Sequence, residues 1–390
     1  MTSLQPEDYC IVWIAPLEIE AQAALHMLDH RHNGRFPMSR GDDYTFEAGD
    51  MCGHNIAIVT LPAGQEYGTG SAAALASQAK KFFPNLWFGL LVGVAAGIPD
   101  LGRSPPRDIR LGDVLVSLPD VNRSGAVAYD LGRDKGDGEL ELLRDGHILA
   151  QTEPIVRAAI GSIKLRSPKE DELFLPYYET VRAKEHLNGT FTDPGQEHDK
   201  FFQVERGTDR LVKRQPRPES QRTRVWYGPI GSGEKLLRNA AKRDELRDRY
   251  DIIGLEMEAA GTMNRIPVGV VRGVCDYADG HKNKEWQPYA AAMAAAYAKA
   301  ILCQIPPKTV SSHSGAPEHG QPNAPKNKGS AKRSWSDSAD SDDEDDRRKR
   351  RNSSNAAKTT TRTGNVIFRG KGNQNIGSGN ISIGGGQYFR

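Results

Sequence analysis

Apolar residues in the first three quarters of the chain gather in short runs separated by glycine, proline and polar breaks. Tyr9–Ile14 is one such run, bounded by Ala15-Pro16, and an apolar stretch of that length with that punctuation predicts a buried strand. Leu17–Leu25 follows with the composition of a helix. Gly89–Pro99, Ile109–Ser117, Tyr227–Gly233 and Val268–Val271 read as further strands or strand ends, and an alanine-rich helix lies between Asp279 and Ile305. Pro306-Pro307 ends that helix, because proline lacks the N–H donor and clashes with the preceding turn.

Beyond Ile305 the pattern stops. Residues 306–363 are rich in Ser, Pro, Asn, Lys and Asp with almost no core formers, so they cannot offset their own ordering entropy and are expected to be a disordered charged linker. Within it Asp342–Asp346 abuts Arg347–Arg351, which reads either as a nuclear import signal or as a self-neutralising polyampholyte. In residues 364–390, Gly364, Gly372 and Gly379 each precede an Asn and punctuate short β-prone pieces such as Val366–Phe368 and Ile381–Ile383. Asn and Gln ladders with interleaved Ile suit cross-β stacking, although glycine this abundant also fits a flexible tail.

Composition sets outer bounds. With 390 residues, of which 37% are hydrophobic, the chain has enough apolar sequence for one large core and for non-globular segments besides. A formal net charge of +2 gives no global attraction to nucleic acid or to a membrane surface, so neither is expected as a partner. Cys10, Cys52, Cys275 and Cys303 lack metal-ligand spacing and suggest free thiols in a reducing compartment, hence a cytoplasmic location without metal or cofactor. No signal peptide is expected in Met1–Asp8, and no apolar stretch is long enough to span a bilayer.

The candidate chemistry is acidic. Gly254-Leu-Glu-Met-Glu-Ala-Ala-Gly261 carries Glu256 and Glu258, and Val270-Val-Arg-Gly-Val-Cys-Asp-Tyr-Ala-Asp279 carries Asp276 and Asp279. A carboxylate just past a strand end projects from the carboxyl edge of a sheet, where open α/β folds bind small ligands. Taken singly, each of these acids could equally cap a helix or face solvent.

The order of these motifs resembles the nucleoside phosphorylase and nucleosidase superfamily, over roughly the first three quarters of the chain. The resemblance implies a single-domain three-layer α/β/α fold with a central mixed twisted sheet over residues 1–305, and a homo-oligomer. It also implies roles. Glu258 would hold the ribose hydroxyls, Asp276 would protonate the purine with burial and neighbouring carboxylates keeping its proton on, and Glu20 would activate water, with Glu18 its competitor. Glu256, Met257, Leu236, Ser232 and the glycine-rich segment with Ala95, Ala96 and Gly97 would line the substrate site. Leu236 stands where many relatives carry an aromatic residue.

Phosphorylases hold phosphate with one arginine in the first turn and one before the glycine-rich segment. Here those places read Ala15-Pro-Leu-Glu-Ile-Glu20 and Leu91-Val92. A carboxylate beside a phosphate dianion is repelled, whereas beside water it can act as a general base, which favours a hydrolase over a phosphorylase. The alternatives are a phosphate-dependent phosphorylase and an inactive nucleotide-sensing module. Asp rather than Asn at position 276 points to adenine. Arg103, Arg107 and Arg110, with Arg206, Arg210, Lys213, Arg214, Arg217, Arg222 and Arg224 in a presumed linker, read either as a solvated face or as a cradle for the 5′ phosphates of a nucleotide such as ATP. The pattern is most similar to the phosphorylase-like domains of fungal immune receptors. That likeness implies an effector whose C-terminal amyloid-type motif meets an oligomerised receptor.

Overall fold

The computed structural model describes residues 3–307 other than 65, 66, 121, 137–139, 149 and 206. The expectations for the linker and the Gly/Asn-rich tail fall on residues 308–390, outside the described residues. The expected mixed sheet is present. Its strands lie in the order Val225–Gly228, Val114–Ser117, Val268–Asp276, Phe88–Gly97, Ile11–Ile14, His54–Val59, Phe46–Met51 and His30–Arg31. Phe88–Gly97 runs parallel to both Ile11–Ile14 and Val268–Asp276, while Val114–Ser117 runs antiparallel to Val268–Asp276.

The central strands are buried along almost their whole length, which is why the sequence shows apolar runs there rather than alternation. One glycine sets the sheet-to-helix distance. A Cβ on Gly273 would run into the Ala290 carbonyl, so the helix Trp286–Cys303 lies directly on the strand, and its alanines are the side chains small enough for that approach. The helix stops at Cys303, just ahead of Pro306.

Two expectations fail. Cys52 and Cys303, read as free thiols, are joined in a disulfide across 251 residues of sequence, tying the hairpin turn between Phe46–Met51 and His54–Val59 to the end of the last helix. The stretch before Tyr227 is not a linker: Phe201–Glu205 and Thr208–Val212 form a hairpin, and Arg214, Arg217 and Arg222 behind it are buried in ion pairs, while Arg210 and Arg224 stay exposed. Arg217 meets Asp113 at 2.6 Å, Arg214 meets Asp199 at 2.8 Å and Arg222 meets Asp193 at 3.0 Å. A buried guanidinium needs such a counter-ion, so these cations are neither a solvated face nor a phosphate cradle.

Candidate active site

The helix Glu18–Met27 begins just after the first strand and turns Glu20 inward, while Glu18 stays exposed and accepts from Gln22. Glu20 accepts from Leu17 N at 2.8 Å and from Val94 N at 2.7 Å, tying the turn after the first strand to the neighbouring strand Phe88–Gly97. Gly93 is required for this, because a Cβ there would overlap the Glu20 carboxylate.

Glu256 ends the strand Gly254–Glu256 and Glu258 precedes the short helix Ala259–Met263. Glu256 accepts from Glu258 N at 3.1 Å and from Ala259 N at 3.0 Å. Between the acids stands Arg272, fully buried in the middle of the Val268–Asp276 strand. Its Nη2 donates to Glu256 and to Glu258, the latter at 2.8 Å, while Nη1 lies 3.8 Å from Glu20 and makes no hydrogen bond. One guanidinium therefore serves three carboxylates. Burial raises the Glu20 carboxyl against the pull of Arg272 and two backbone N–H groups. Burial also pushes Glu258 up to about 8, with Glu256 and Glu20 adding to the rise and Arg272 opposing it. Burial works against the charge of Arg272, but the three carboxylates outweigh it and hold the guanidinium above its ordinary value.

Asp276 ends the same strand. One of its oxygens accepts from Ala278 N at 2.8 Å, and the other lies 3.1 Å from Lys282 Nζ and 3.5 Å from the Cys275 thiol. Carboxylates do stand near Asp276, Asp279 among them, but the loop after the strand also turns back and sets a cation, Lys282, directly on it. Cys275 is held well above the usual thiol range by burial, then by Asp276, so it packs as a neutral thiol.

These groups surround a cavity of about 430 Å³. Of the residues singled out from the sequence, Glu20, Ala95, Ala96, Leu236, Glu256, Met257, Glu258 and Asp276 line it. Four do not. Gly97 is paired with Gly254 across the sheet, and Ser232 is buried, its Oγ accepting from Ala260 N at 2.9 Å. Arg103 and Arg107 are spent on Asp251, at 3.2 and 2.9 Å. The cations that do line the cavity are Lys235, Arg238, Lys282 and Lys284, and its aromatic walls are Tyr67 and Tyr129. None of these six was singled out from the sequence, because each sits on a loop or strand edge placed only by tertiary contacts. Arg272 did leave a signal: a lone charge inside an apolar strand must find buried counter-charges.

No protein-family model matches the chain. A "Nucleotide-binding leucine-rich repeat (NLR)-like protein" of Hyaloscypha variabilis is 36% identical over 318 residues, which are 80% of this chain and 31% of that protein. The chain thus spans about a third of the length of that relative. Among solved structures, the futalosine hydrolase of Helicobacter pylori is similar at a TM-score of 0.50 and 15% identity, covering 76% of this chain and 99% of that one. The 5′-methylthioadenosine/S-adenosylhomocysteine nucleosidase of H. pylori matches at the same TM-score, identity and coverage. With its mixed sheet and packed helices, the chain has the nucleoside phosphorylase-like fold of these nucleosidases.

Proposed function

We propose that the chain hydrolyses the N-glycosidic bond of an adenine nucleoside or nucleotide and releases free adenine. The observation that carries the reading is the convergence of Glu20, Glu258 and Asp276, from three separate segments, on one cavity of about 430 Å³. A cavity of that size falls in the range of small-molecule sites.

Breaking the bond makes the sugar cationic and leaves an electron pair on the base, so an anionic cradle for the one and a proton for the other lower the barrier. Glu258, with its carboxyl pushed up to about 8, can donate as well as accept and would hold the ribose hydroxyls. Glu20, fixed by two backbone N–H groups, would take the proton of the attacking water. Asp276 would deliver a proton to N7 of the leaving base, and Tyr67 or Tyr129 would stack on it in the role expected of Leu236. Three carboxylates around one guanidinium disfavour a phosphate dianion at the sugar, which supports hydrolysis over phosphorolysis. Exposed Lys235, Arg238 and Lys284 at the cavity support a substrate with 5′ phosphates, in place of Arg103 and Arg107. The likeness to an NLR-like protein supports an effector role, with the tail as its link to a receptor.

The test is to incubate the chain with adenosine, AMP or ATP in phosphate-free buffer and follow free adenine by chromatography. Release without phosphate, with a free sugar product, is expected. A strict phosphate requirement with ribose 1-phosphate as product, or no release from any of the three, overturns the reading.

A further inference from the structure

Lys282 lies outside the acidic motifs, and the fold delivers it to the site by a defined path. After Asp276 the chain passes through Ala278 in the left-handed region (φ 53°), and Asp279 then accepts from His281 N at 2.9 Å. The His281 ring stacks on Phe202 of the Phe201–Glu205 strand, with centroids 3.7 Å apart. Anchored at both points, the loop holds Lys282 Nζ 3.1 Å from Asp276 Oδ2. Lys282 lines the cavity, and its side chain keeps 21% of its surface exposed, so it touches the acid and solvent at once. The other groups facing this pair are the Cys275 thiol on the same oxygen, Asp279 with His281 and Arg243 behind it, and Glu20.

Resting on the nucleosidase reading, we propose that Lys282 is the proton source for the leaving base, acting through Asp276. Asp276 Oδ2 takes a proton from Lys282 Nζ and delivers it to N7 as the C1′–N9 bond breaks and its electron pair stays with the purine. The water oxygen bonds C1′ and its proton goes to Glu20. One proton leaves Lys282 and one arrives on Glu20, so the cycle closes when both exchange with solvent. An ammonium is suited to this because it can give up a proton, whereas a guanidinium stays protonated at any working pH.

That difference supplies the test. Lys282→Arg preserves the charge and the ion pair but not the proton; Lys282→Met removes all three. The full chain is assayed on adenosine, AMP and ATP from about pH 5 to about pH 9. Positioned proton donors typically contribute at least about 100-fold, so Lys282→Arg should lose about 100-fold or more in kcat across the range while KM stays within about threefold. Lys282→Met should lose a similar factor at about pH 8 and recover as the pH falls toward about 5, because solvent then supplies the proton that the ammonium no longer gives. Wild-type turnover in Lys282→Arg, or parallel pH profiles for wild type and Lys282→Met, overturns the relay and leaves a structural ion pair. A wild-type chain that releases no base from any of the three substrates overturns the nucleosidase reading and the relay with it.

Discussion

Glu258→Gln separates the electrostatics of the acidic cluster from its chemistry. In the folded chain burial pushes the Glu258 carboxyl up to about 8, against 4.5 for an ordinary glutamate. Its contribution to stability is therefore complete below about pH 4.5 and is lost as the pH rises through about 8, because only the unfolded chain ionises freely in that window. At about 1.4 kcal/mol per pH unit the full shift corresponds to about 5 kcal/mol. Glutamine keeps the shape and removes the ionisation, but it gives up the charge-assisted hydrogen bond to Arg272 Nη2, 2.8 Å long. The pull of that bond is already contained in the value of about 8, so the variant should be more stable than wild type at about pH 8.5 by a few kcal/mol. At about pH 5 Glu258 already carries its proton when folded, and the variant should be equal or slightly weaker. For a domain of this size the alkaline difference is a rise of about 5 °C in Tm. Thermal unfolding of both full chains at the two pH values reads it directly. If Glu258→Gln is offset from wild type by the same amount and sign at both, the carboxyl is not held up by its surroundings and the account of the cluster is wrong.

Asp276→Asn should retain substrate binding while kcat falls by about 100-fold or more, measured as adenine release; near-wild-type turnover would place the proton donor elsewhere. Cys303→Ser, or reductant added to wild type, should lower unfolding stability by roughly 2–4 kcal/mol, since the bridge closes a long loop; an unchanged Tm would show that Cys52 and Cys303 are not joined in solution.

What the sequence discloses of this fold is what depends on local pattern. Tyr9–Ile14 announces a buried strand, and the structure forms one over Ile11–Ile14; the alanines after Asp279 announce a helix, found at Trp286–Cys303. Asp276 is legible for the same reason, because a strand end on the sheet edge puts it where a ligand can reach, whereas Glu20, Glu256 and Glu258 are singled out by the resemblance of the motif order. Arg214, Arg217 and Arg222 mislead because exposure is a property of partners, and theirs are remote, whereas Arg210 and Arg224 do stay on the surface. Arg217 finds Asp113 from 104 residues away and Arg222 finds Asp193 from 29. Lys282, Tyr67 and Tyr129 are silent, since nothing in a loop's composition says which cavity it will border.

Arg272 marks the boundary between these cases. A guanidinium in the run Val268–Asp276 cannot be buried without charge compensation worth several kcal/mol, and the strand's apolar neighbours offer none. The compensation must therefore come from other segments, from acids that are themselves too costly to bury alone. Glu20, Glu256 and Glu258 meet that condition together with Arg272 and with no other partner of opposite charge among the described residues. The arginine in one motif and the glutamates in the others are thus a single electrostatic unit, in which the arginine cannot be buried until acids from the other segments arrive. Folding the domain and assembling the carboxylates around the cavity are the same event.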